Sequence, residues 1–344
     1  MSRRWATAIV GFGRMGRGYA ADPVMARYYR YAAHAQVLTE HRAFDWRAVV
    51  DPDPAALAEA RDDWRVPVAA ADVAALGAPA GIEVAVLATA PDARLGVLDA
   101  FPGLRAVLVE KPLGTTLAAA RLFLDSCAAR NVMVAVNIWR RADEVLRRLA
   151  AGELEERIGK LQGGIALYGN GLLNNGTHMV DMVRMLCGEV VGCTLLGVDT
   201  GFCEGPIPGD RNPRFALDLA GGATIAFQPV RFTDYRENGL ILWGERGRFE
   251  VMNEGLSNAF YSRQANRAMQ GEREIAFDAP ERLASSVGTA LYAMYDNIAH
   301  ALDAGDPSLL ASTGDSALET ARIVEAVASL TLERRTVAFG GAAP

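Results

Sequence analysis

Two oppositely charged residues end an apolar run and are followed at once by proline. The run Ala106–Val109 has the continuous apolar character of a buried strand, and Glu110, Lys111 and Pro112 come directly after it. A proline disfavours helical geometry at the preceding residue, so we expect an extended Lys111 and diverging charged side chains. A lysine held in this way could stabilise negative charge on a substrate oxygen. The alternative is a surface ion pair at a strand end.

A histidine follows a polar, glycine-rich stretch in the second half of the chain. Residues 168–181 read YGNGLLNNGTHMVD, and an apolar-periodic helix begins near the end of this stretch, with Thr177 as its candidate N-cap. His178 would then lie in the first turn, where a general base could accept a hydroxyl proton. Taken alone, such a histidine is more often a packing or capping residue. With Lys111 and a dinucleotide site in the same chain, we favour the base.

A glycine motif provides that dinucleotide site. Gly11-x-Gly13-x-x-Gly16 follows a short apolar run at 6–10 and precedes a helix-compatible stretch. In this context the first glycine permits the turn, the second admits the cofactor pyrophosphate, and the third allows close packing of helix on strand. Asp51 ends the second predicted strand and could accept hydrogen bonds from the adenosine ribose, which favours NAD, with NADP as the alternative.

The interval between the glycine motif and Asp51 is unusually long. Asp51 follows Gly11 by roughly 40 positions, about twice the interval typical of this motif. We assign the extra residues to 20–33, which include the aromatic and basic run YYRY at 28–31. This segment is expected to extend the first helix or to form a lid. Stacking of nucleic acid bases on its aromatic rings is the less favoured interpretation.

Composition excludes several classes of partner. The 344 residues are 51% hydrophobic and 22% charged, with a formal net charge of −6, so there is room for two domains and little attraction for nucleic acid. The first apolar run breaks at Gly11, which indicates neither a signal peptide nor a membrane span, and we expect a cytoplasmic location. The sequence has four cysteines, Cys127, Cys187, Cys193 and Cys203. Their spacing is not that of metal ligands, so we expect reduced thiols and no metal site.

Two architectures follow one another along the chain. Over residues 1–137, apolar runs alternate with alanine-rich helical stretches, which predicts an α/β domain with a doubly wound parallel sheet that binds a dinucleotide. Over residues 138–344, strand-like segments joined by tight turns predict an α+β domain with a mostly antiparallel open sheet, which would bind substrate. Two late helices are predicted at 287–304 and 315–332, and they either cover the second sheet or return to the first domain.

Three motifs together resemble those of the Gfo/Idh/MocA oxidoreductases. They are GFGRMG at 11–16, EKP at 110–112 and GTHMVD at 176–181, and they span nearly the whole chain. The resemblance implies an N-terminal Rossmann domain, a C-terminal domain whose sheet forms the contacts of a homo-oligomer, dimer or tetramer, and NAD(P)-dependent chemistry on sugars, cyclitols or nucleotide-linked sugars. It also implies that Lys111 and His178 are the catalytic pair.

Further site residues are predicted around this pair. Asn137 and Arg140 match positions that often help shape the active site of that family. Tyr168 is a candidate substrate contact, with a core or domain-interface tyrosine as the alternative. Glu110 is expected to be structural or to face the cofactor. The predicted cofactor contacts are Gly11, Phe12, Gly13, Arg14, Met15, Gly16, Asp51, Thr89, Glu110 and Lys111.

One residue departs from the pattern of that family. Many members carry aspartate four positions before the histidine, whereas this chain has Asn174. An amide orients a hydroxyl without carrying charge, which leaves the proton acceptor open between His178 and Lys111. In the mechanism that we favour, His178 accepts the proton of a secondary alcohol, Lys111 hydrogen-bonds the same oxygen, and hydride passes to NAD, with the reverse direction equally allowed. The alternatives are a reductase of a cyclic imine and a non-catalytic NAD-binding regulator.

Overall fold

The chain folds into two compact units. The structure is a computed structural model that describes residues 3–76, 81–197, 205–330 and 334–339. One unit contains Met1–Asp143 and Gly288–Leu318, and the other contains Glu144–Val287 and Glu319–Pro344. The domain boundary predicted from sequence, after residue 137, lies near Asp143, where the first segment of the first unit ends. The prediction, however, assigned all later residues to one continuous second domain. In the structure, residues 288–318 return to the first unit, as one of the two alternatives for the late helices allowed.

The first unit contains a parallel sheet. Its six strands are β1 (Trp5–Val10), β2 (Phe44–Val50), β3 (Val68–Ala70), β4 (Val84–Leu87), β5 (Ala106–Val109) and β6 (Met133–Val136). They pair in the order β3-β2-β1-β4-β5-β6, and every pairing is parallel. The strand order reverses between β1 and β4, where ligands bind in doubly wound folds. The predicted doubly wound sheet is confirmed.

Helices cover both faces of this sheet, and further helices belong to the second unit. Within the described ranges the α-helices are α1 (His34–Glu40), α2 (Pro54–Asp62), α3 (Arg94–Ala100), α4 (Leu117–Ala128), α5 (Glu144–Arg148), α6 (Leu154–Ile158), α7 (Thr177–Cys187), α8 (Ala290–Ala304) and α9 (Gly314–Ala328). Ile9 joins a core cluster with α1, α2 and α8, whereas Ala8 and Val10 join a different cluster with α3 and α4. Alternate side chains of β1 are therefore buried on opposite faces.

The second unit contains a mixed, mostly antiparallel sheet. Its strands are β7 (Leu161–Tyr168), β8 (Val190–Gly197), β9 (Arg214–Leu219), β10 (Thr224–Pro229), β11 (Gly239–Gly244), β12 (Gly247–Met252), β13 (Ser257–Ala265), β14 (Arg273–Ile275), β15 (Glu281–Leu283) and β16 (Thr336–Ala338). The order is β14-β13-β12-β11-β7-β10-β9-β8-β16, and β15 pairs with β13. The β7–β10 pairing is parallel. The predicted open sheet is confirmed.

The segment at 17–33 loops out of the first helix. The helical turn that begins in the glycine motif is interrupted after one turn, and α1 continues it. The His34 N–H donates to the Met15 carbonyl and the Ala35 N–H donates to the Gly16 carbonyl, each at 2.9 Å. The expected helix extension is therefore wrong, because the extra residues lie between two stretches of one interrupted helix. They form short 3-10 turns at Gly18–Ala21 and Met25–Arg27.

Three cysteines lie among the described residues as free thiols, Cys127, Cys187 and Cys193; Cys203 lies outside those residues. Burial raises the pKa of the Cys127 and Cys187 thiols to about 12, so both are protonated near neutral pH. The described ranges contain no helix long and apolar enough to cross a membrane. In the same ranges, no three His, Cys, Asp or Glu side chains are grouped to hold a metal ion.

Candidate active site

The loop after β1 has the shape that a dinucleotide requires. Gly11 has a φ of +94°, and a Cβ there would lie 2.5 Å from the Ala88 carbonyl oxygen. A Cβ on Gly16 would lie 2.8 Å from Cα of Phe12. In contrast, a Cβ on Gly13 would meet no described atom within 4 Å. Two glycines are thus required by close backbone contacts, and Gly13 borders open space where a pyrophosphate could approach.

The same loop offers hydrogen-bond donors. The backbone N–H groups of Gly13, Arg14, Met15 and Gly16 have no acceptor among the described residues. The Arg17 N–H donates to the Gly13 carbonyl at 2.9 Å and closes one helical turn over them. Unpaired N–H groups at the start of a helical turn attract anionic groups. The predicted contacts at residues 11–16 therefore fit a dinucleotide.

Asp51 lies at the end of β2 and contacts the glycine loop. Its Oδ2 accepts a hydrogen bond from the Phe12 N–H at 2.6 Å, and its Oδ1 accepts one from the Asp53 N–H at 2.8 Å. The side chain is half-buried, and each carboxylate oxygen can accept a second hydrogen bond. Asp51 is therefore placed to bind a ribose hydroxyl beside the loop, and this role remains a prediction.

Asp51→Asn tests the predicted cofactor preference. We expect the Kd for NADH to rise about tenfold, because the amide removes a charge-assisted acceptor. The Kd for NADPH should rise less, since the lost charge no longer repels the extra phosphate. Fluorescence titration of the reduced cofactors measures both constants, and Asp45→Asn, on the same strand and paired with Arg47, is the control. Unchanged NADH affinity in Asp51→Asn would show that Asp51 does not bind the cofactor.

β5 carries Glu110 and Lys111 to the carboxyl edge of the sheet. The Lys111–Pro112 peptide is cis, and Lys111 is half-buried. The Glu110 side chain is 15% exposed, with its Oε1 2.9 Å from Nε2 of His34. Nδ2 of Asn137 donates to the same oxygen at 2.6 Å. Two side chains in the protein interior therefore hold the Glu110 carboxylate in place.

A buried arginine that the sequence interpretation missed holds the Lys111 loop. Arg94 is 1% exposed, and its Nη1 donates to the carbonyls of Pro112 and Leu113 at 2.7 and 3.0 Å. Its Nη2 donates to those of Thr89 and Glu110 at 3.0 and 2.9 Å. Burial lowers the pKa of Arg94 to about 10, and the Glu110 carboxylate opposes this shift. One guanidinium thus joins the loops that follow β4 and β5.

The predicted contacts that follow β6 are also buried. Asn137 is 2% exposed and Arg140 is 5% exposed. Asn137 donates to Glu110, which favours a role in holding that carboxylate over direct substrate contact. The Arg140 guanidinium carbon lies 4.6 Å from the centre of the Trp139 ring. Both residues lie at the same edge of the sheet as Lys111.

In the second unit, His178 lies in the first turn of α7, as expected. The preceding turn, Leu172–Gly176, is π-helical, and Gly176 already has a helical φ of −55° and ψ of −35°. Thr177 donates its hydroxyl to the Leu173 carbonyl at 2.9 Å. The predicted N-cap role of Thr177 is wrong, because helical geometry begins before it. His178 is half-buried.

A buried carboxylate lies beneath the turn that carries Asn174. Asp210 is 3% exposed, and it accepts hydrogen bonds from the N–H groups of Leu173 and Asn174 at 2.9 and 3.0 Å. Oδ1 of Asn212, which is also buried, accepts one from the Gly171 N–H at 2.9 Å. The loop after residue 205 therefore fixes the backbone that leads to His178.

Asp210→Asn tests this support. One acceptor oxygen becomes an NH₂ group facing a backbone donor, so the free energy of unfolding should fall by about 1–3 kcal/mol. Urea denaturation followed by circular dichroism measures the loss. Asp234→Asn is the control, because the Asp234 side chain is 61% exposed. Equal unfolding midpoints for the two variants would contradict the role given to Asp210.

Tyr168 lies in the core of the second unit. It is 0% exposed, and its ring centre lies 6.0 Å from that of Phe215 and 6.2 Å from that of Phe227. Its hydroxyl donates to the Pro213 carbonyl. Burial, and next the Asp210 carboxylate, raise the pKa of Tyr168 well above its ordinary value. This placement favours the core alternative over a substrate contact.

These features define a class of protein. A six-stranded parallel sheet, a glycine loop with open backbone donors at the reversal of strand order, and an acidic residue after β2 are the parts of a dinucleotide-binding Rossmann domain. Residues 6–138 match the sequence model of the family described as "Oxidoreductase family, NAD-binding Rossmann fold". This match confirms the predicted resemblance to the Gfo/Idh/MocA oxidoreductases over residues 6–138, and it confirms the expected nicotinamide dinucleotide cofactor for a domain of this kind.

Solved structures share the fold over nearly the whole chain. An oxidoreductase from Agrobacterium radiobacter, in complex with NAD+, L-tartaric acid and magnesium, is 18% identical with a TM-score of 0.73, covering 97% of this chain and 98% of its own. A candidate myo-inositol dehydrogenase from Sinorhizobium meliloti is 19% identical with a TM-score of 0.71, covering 98% and 100%. The WlbA dehydrogenase from Chromobacterium violaceum, in complex with NADH and UDP-GlcNAcA, is 18% identical with a TM-score of 0.73, covering 99% and 97%. These identities show a shared fold alone. No curated protein matches the sequence.

Proposed function

We propose that this protein is an NAD-dependent dehydrogenase or reductase that interconverts a secondary alcohol and a ketone on a sugar, cyclitol or nucleotide-linked sugar. The observation that carries the proposal is the placement of Lys111. It lies at the carboxyl edge of the parallel sheet, in a loop that Arg94 joins to the loop after β4. NAD held by residues 11–16 would supply the hydride acceptor.

The choice of lysine at this position supports a chemical role. The chain has lysine at Lys111 and Lys160 only, and otherwise uses arginine as its cation. Lysine presents a compact ammonium on a flexible stem, whereas arginine presents a planar fork suited to carboxylates and phosphates. A compact ammonium suits a single alkoxide-like oxygen.

In the proposed reaction, one side chain accepts the proton and another stabilises the negative charge. In the oxidative direction, His178 accepts the substrate hydroxyl proton as the hydride leaves the carbinol carbon. Lys111 donates a hydrogen bond to the same oxygen and stabilises the negative charge that develops there. Asn174 orients a neighbouring hydroxyl through its amide. In the reductive direction, His178 returns the proton to the oxygen.

The proteins with the same fold support the substrate class. One is a candidate myo-inositol dehydrogenase, and another was solved with NADH and UDP-GlcNAcA. Both names point to polyhydroxylated rings, on which a paired histidine and lysine can act. The second sheet also has half-buried apolar side chains on its outward face, Ile165, Leu167, Ile241 and Trp243. This face supports a homo-oligomer formed through the sheet.

A substrate screen tests the proposal. Purified protein is offered NAD or NADP with aldoses, inositols and nucleotide sugars, and the reduced cofactors with keto-sugars, while nicotinamide absorbance is followed. We expect turnover with at least one of these classes and faster turnover with NAD. Cofactor binding without turnover on carbohydrates, but with reduction of cyclic imines, would favour the imine reductase. Cofactor binding with no turnover at all would favour the regulator.

A further inference from the structure

A buried histidine connects the glycine loop to the Glu110–Lys111 loop. His34 is the first residue of α1 and is 0% exposed. Its backbone N–H donates to the carbonyl of Met15, within the glycine motif, at 2.9 Å. Its imidazole Nε2 lies 2.9 Å from Oε1 of Glu110. One residue therefore contacts the loop that would hold the cofactor and the carboxylate next to Lys111.

The two neighbours of His34 favour one direction for its hydrogen bonds. Its Nδ1 lies 2.8 Å from the hydroxyl of Tyr295 on α8. An ionised carboxylate only accepts, so Nε2 carries the proton in a bond to it, and on a ring with a single proton Nδ1 accepts from Tyr295. Burial, and next the Glu110 carboxylate, raise the pKa of Tyr295 well above its ordinary value, which keeps the hydroxyl protonated and able to donate. With this tautomer, Tyr295 donates to His34 and His34 donates to Glu110.

This chain leaves one Glu110 oxygen for a ligand. The protein donors, His34 and Asn137, both bond Oε1. Oε2 has no hydrogen-bond donor among the described residues, and the side chain is 15% exposed. A carboxylate oxygen accepts well from a hydroxyl group. Oε2 is therefore an open acceptor at the carboxyl end of β5, one residue from Lys111.

We propose that His34, supported by Tyr295, is a positioning residue that holds Glu110 so that its Oε2 accepts a hydrogen bond from a hydroxyl of the bound cofactor or substrate. The kinetic part of this proposal rests on the proposed function. The hydroxyl can come from the nicotinamide ribose or from the sugar, which share the same chemistry. The helix that contains His34 ties this contact to the glycine loop.

The tautomer of His34 can be tested without a substrate. The sequence has four histidines, so histidine-selective ¹⁵N labelling gives a spectrum in which His34→Gln assigns the signal. We expect a neutral His34 ring protonated at Nε2, with shifts that change in Glu110→Gln and Tyr295→Phe. A His34 ring protonated at Nδ1 alone, or one insensitive to both substitutions, would overturn the proposal. Because no turnover is needed, this result is independent of the proposed function.

The positioning role is tested by kinetics. His34→Leu should lower kcat about 100-fold, since misplacement near the reacting atoms is costly. His34→Gln should recover part of the loss, because its amide can still donate to Glu110. A substrate deuterated at the carbinol carbon should show a larger isotope effect on kcat in both variants, because the hydride step becomes slower. His300→Gln, an exposed position on α8, is the control.

The outcomes separate positioning from stability and one ligand from the other. A raised Kd for NADH in Tyr295→Phe and His34→Gln would assign the hydroxyl to the cofactor, and a raised KM for the sugar alone would assign it to the substrate. Full turnover in His34→Leu would overturn the proposal. So would a smaller active fraction with an unchanged isotope effect, because that result indicates a structural role only.

Discussion

Lys111→Met is expected to lower kcat about 10³-fold while leaving the Kd for NADH nearly unchanged. Methionine keeps most of the unbranched stem and removes the ammonium that would stabilise the substrate oxygen. Most of the predicted cofactor contacts lie in the glycine loop and at Asp51, and the substitution leaves these in place. Steady-state turnover and fluorescence titration of NADH measure the two quantities on the same preparation.

The chain offers a matched control for this variant. Lys160 is the second lysine of the chain, and it is exposed in the second unit. Lys160→Met removes the same group from a surface position and should retain full kcat. Comparable turnover in the two variants would remove Lys111 from the mechanism. A parallel loss of NADH binding in Lys111→Met would instead indicate a cofactor contact.

Arg94→Met is expected to lower the free energy of unfolding by at least about 3 kcal/mol. The guanidinium donates to four carbonyls, which belong to Thr89, Glu110, Pro112 and Leu113. Methionine fills part of the volume but leaves these four acceptors, one buried and three part-buried, without their donor. Urea denaturation followed by circular dichroism gives the shift in the unfolding midpoint.

Arg130→Met provides the comparison for Arg94. The Arg130 side chain is 43% exposed and pairs with Asp99 at the surface, so its loss should change the free energy of unfolding by less than about 1 kcal/mol. Arg94→Lys keeps the charge but cannot reproduce the fork that reaches both loops. Its stability should lie between those of the wild type and Arg94→Met. An Arg94→Met midpoint equal to that of Arg130→Met would contradict the role of the guanidinium.

The first unit could be predicted from sequence because its strands are continuous apolar runs. β4 and β5 are buried at every position, and burial on both faces gives a sequence pattern that is easy to recognise. The elements that the sequence pattern did not predict were short or of mixed polarity. β3 has only three residues, and α3 begins with the buried Arg94, which a sequence pattern would assign to a surface.

The candidate site divides in a similar way. Lys111 and His178 lie in compact local motifs, and each is placed as expected with respect to its strand or helix. Their supports, Arg94 and Asp210, come from other elements of the chain, and only tertiary contacts reveal them. His34 was hidden because residues 17–33 separate it from the glycine motif whose helix it continues.

The most direct test of the central claim follows the hydrogen itself. NADH carrying deuterium at its hydride-donating position is incubated with the protein and the keto-sugar identified by the screen, and the product is analysed by mass spectrometry and NMR. We predict one deuterium per molecule on the new carbinol carbon and none in the Lys111→Met reaction over the same time. A carbinol hydrogen derived from solvent, or deuterium transferred only to imines, would contradict a carbohydrate dehydrogenase.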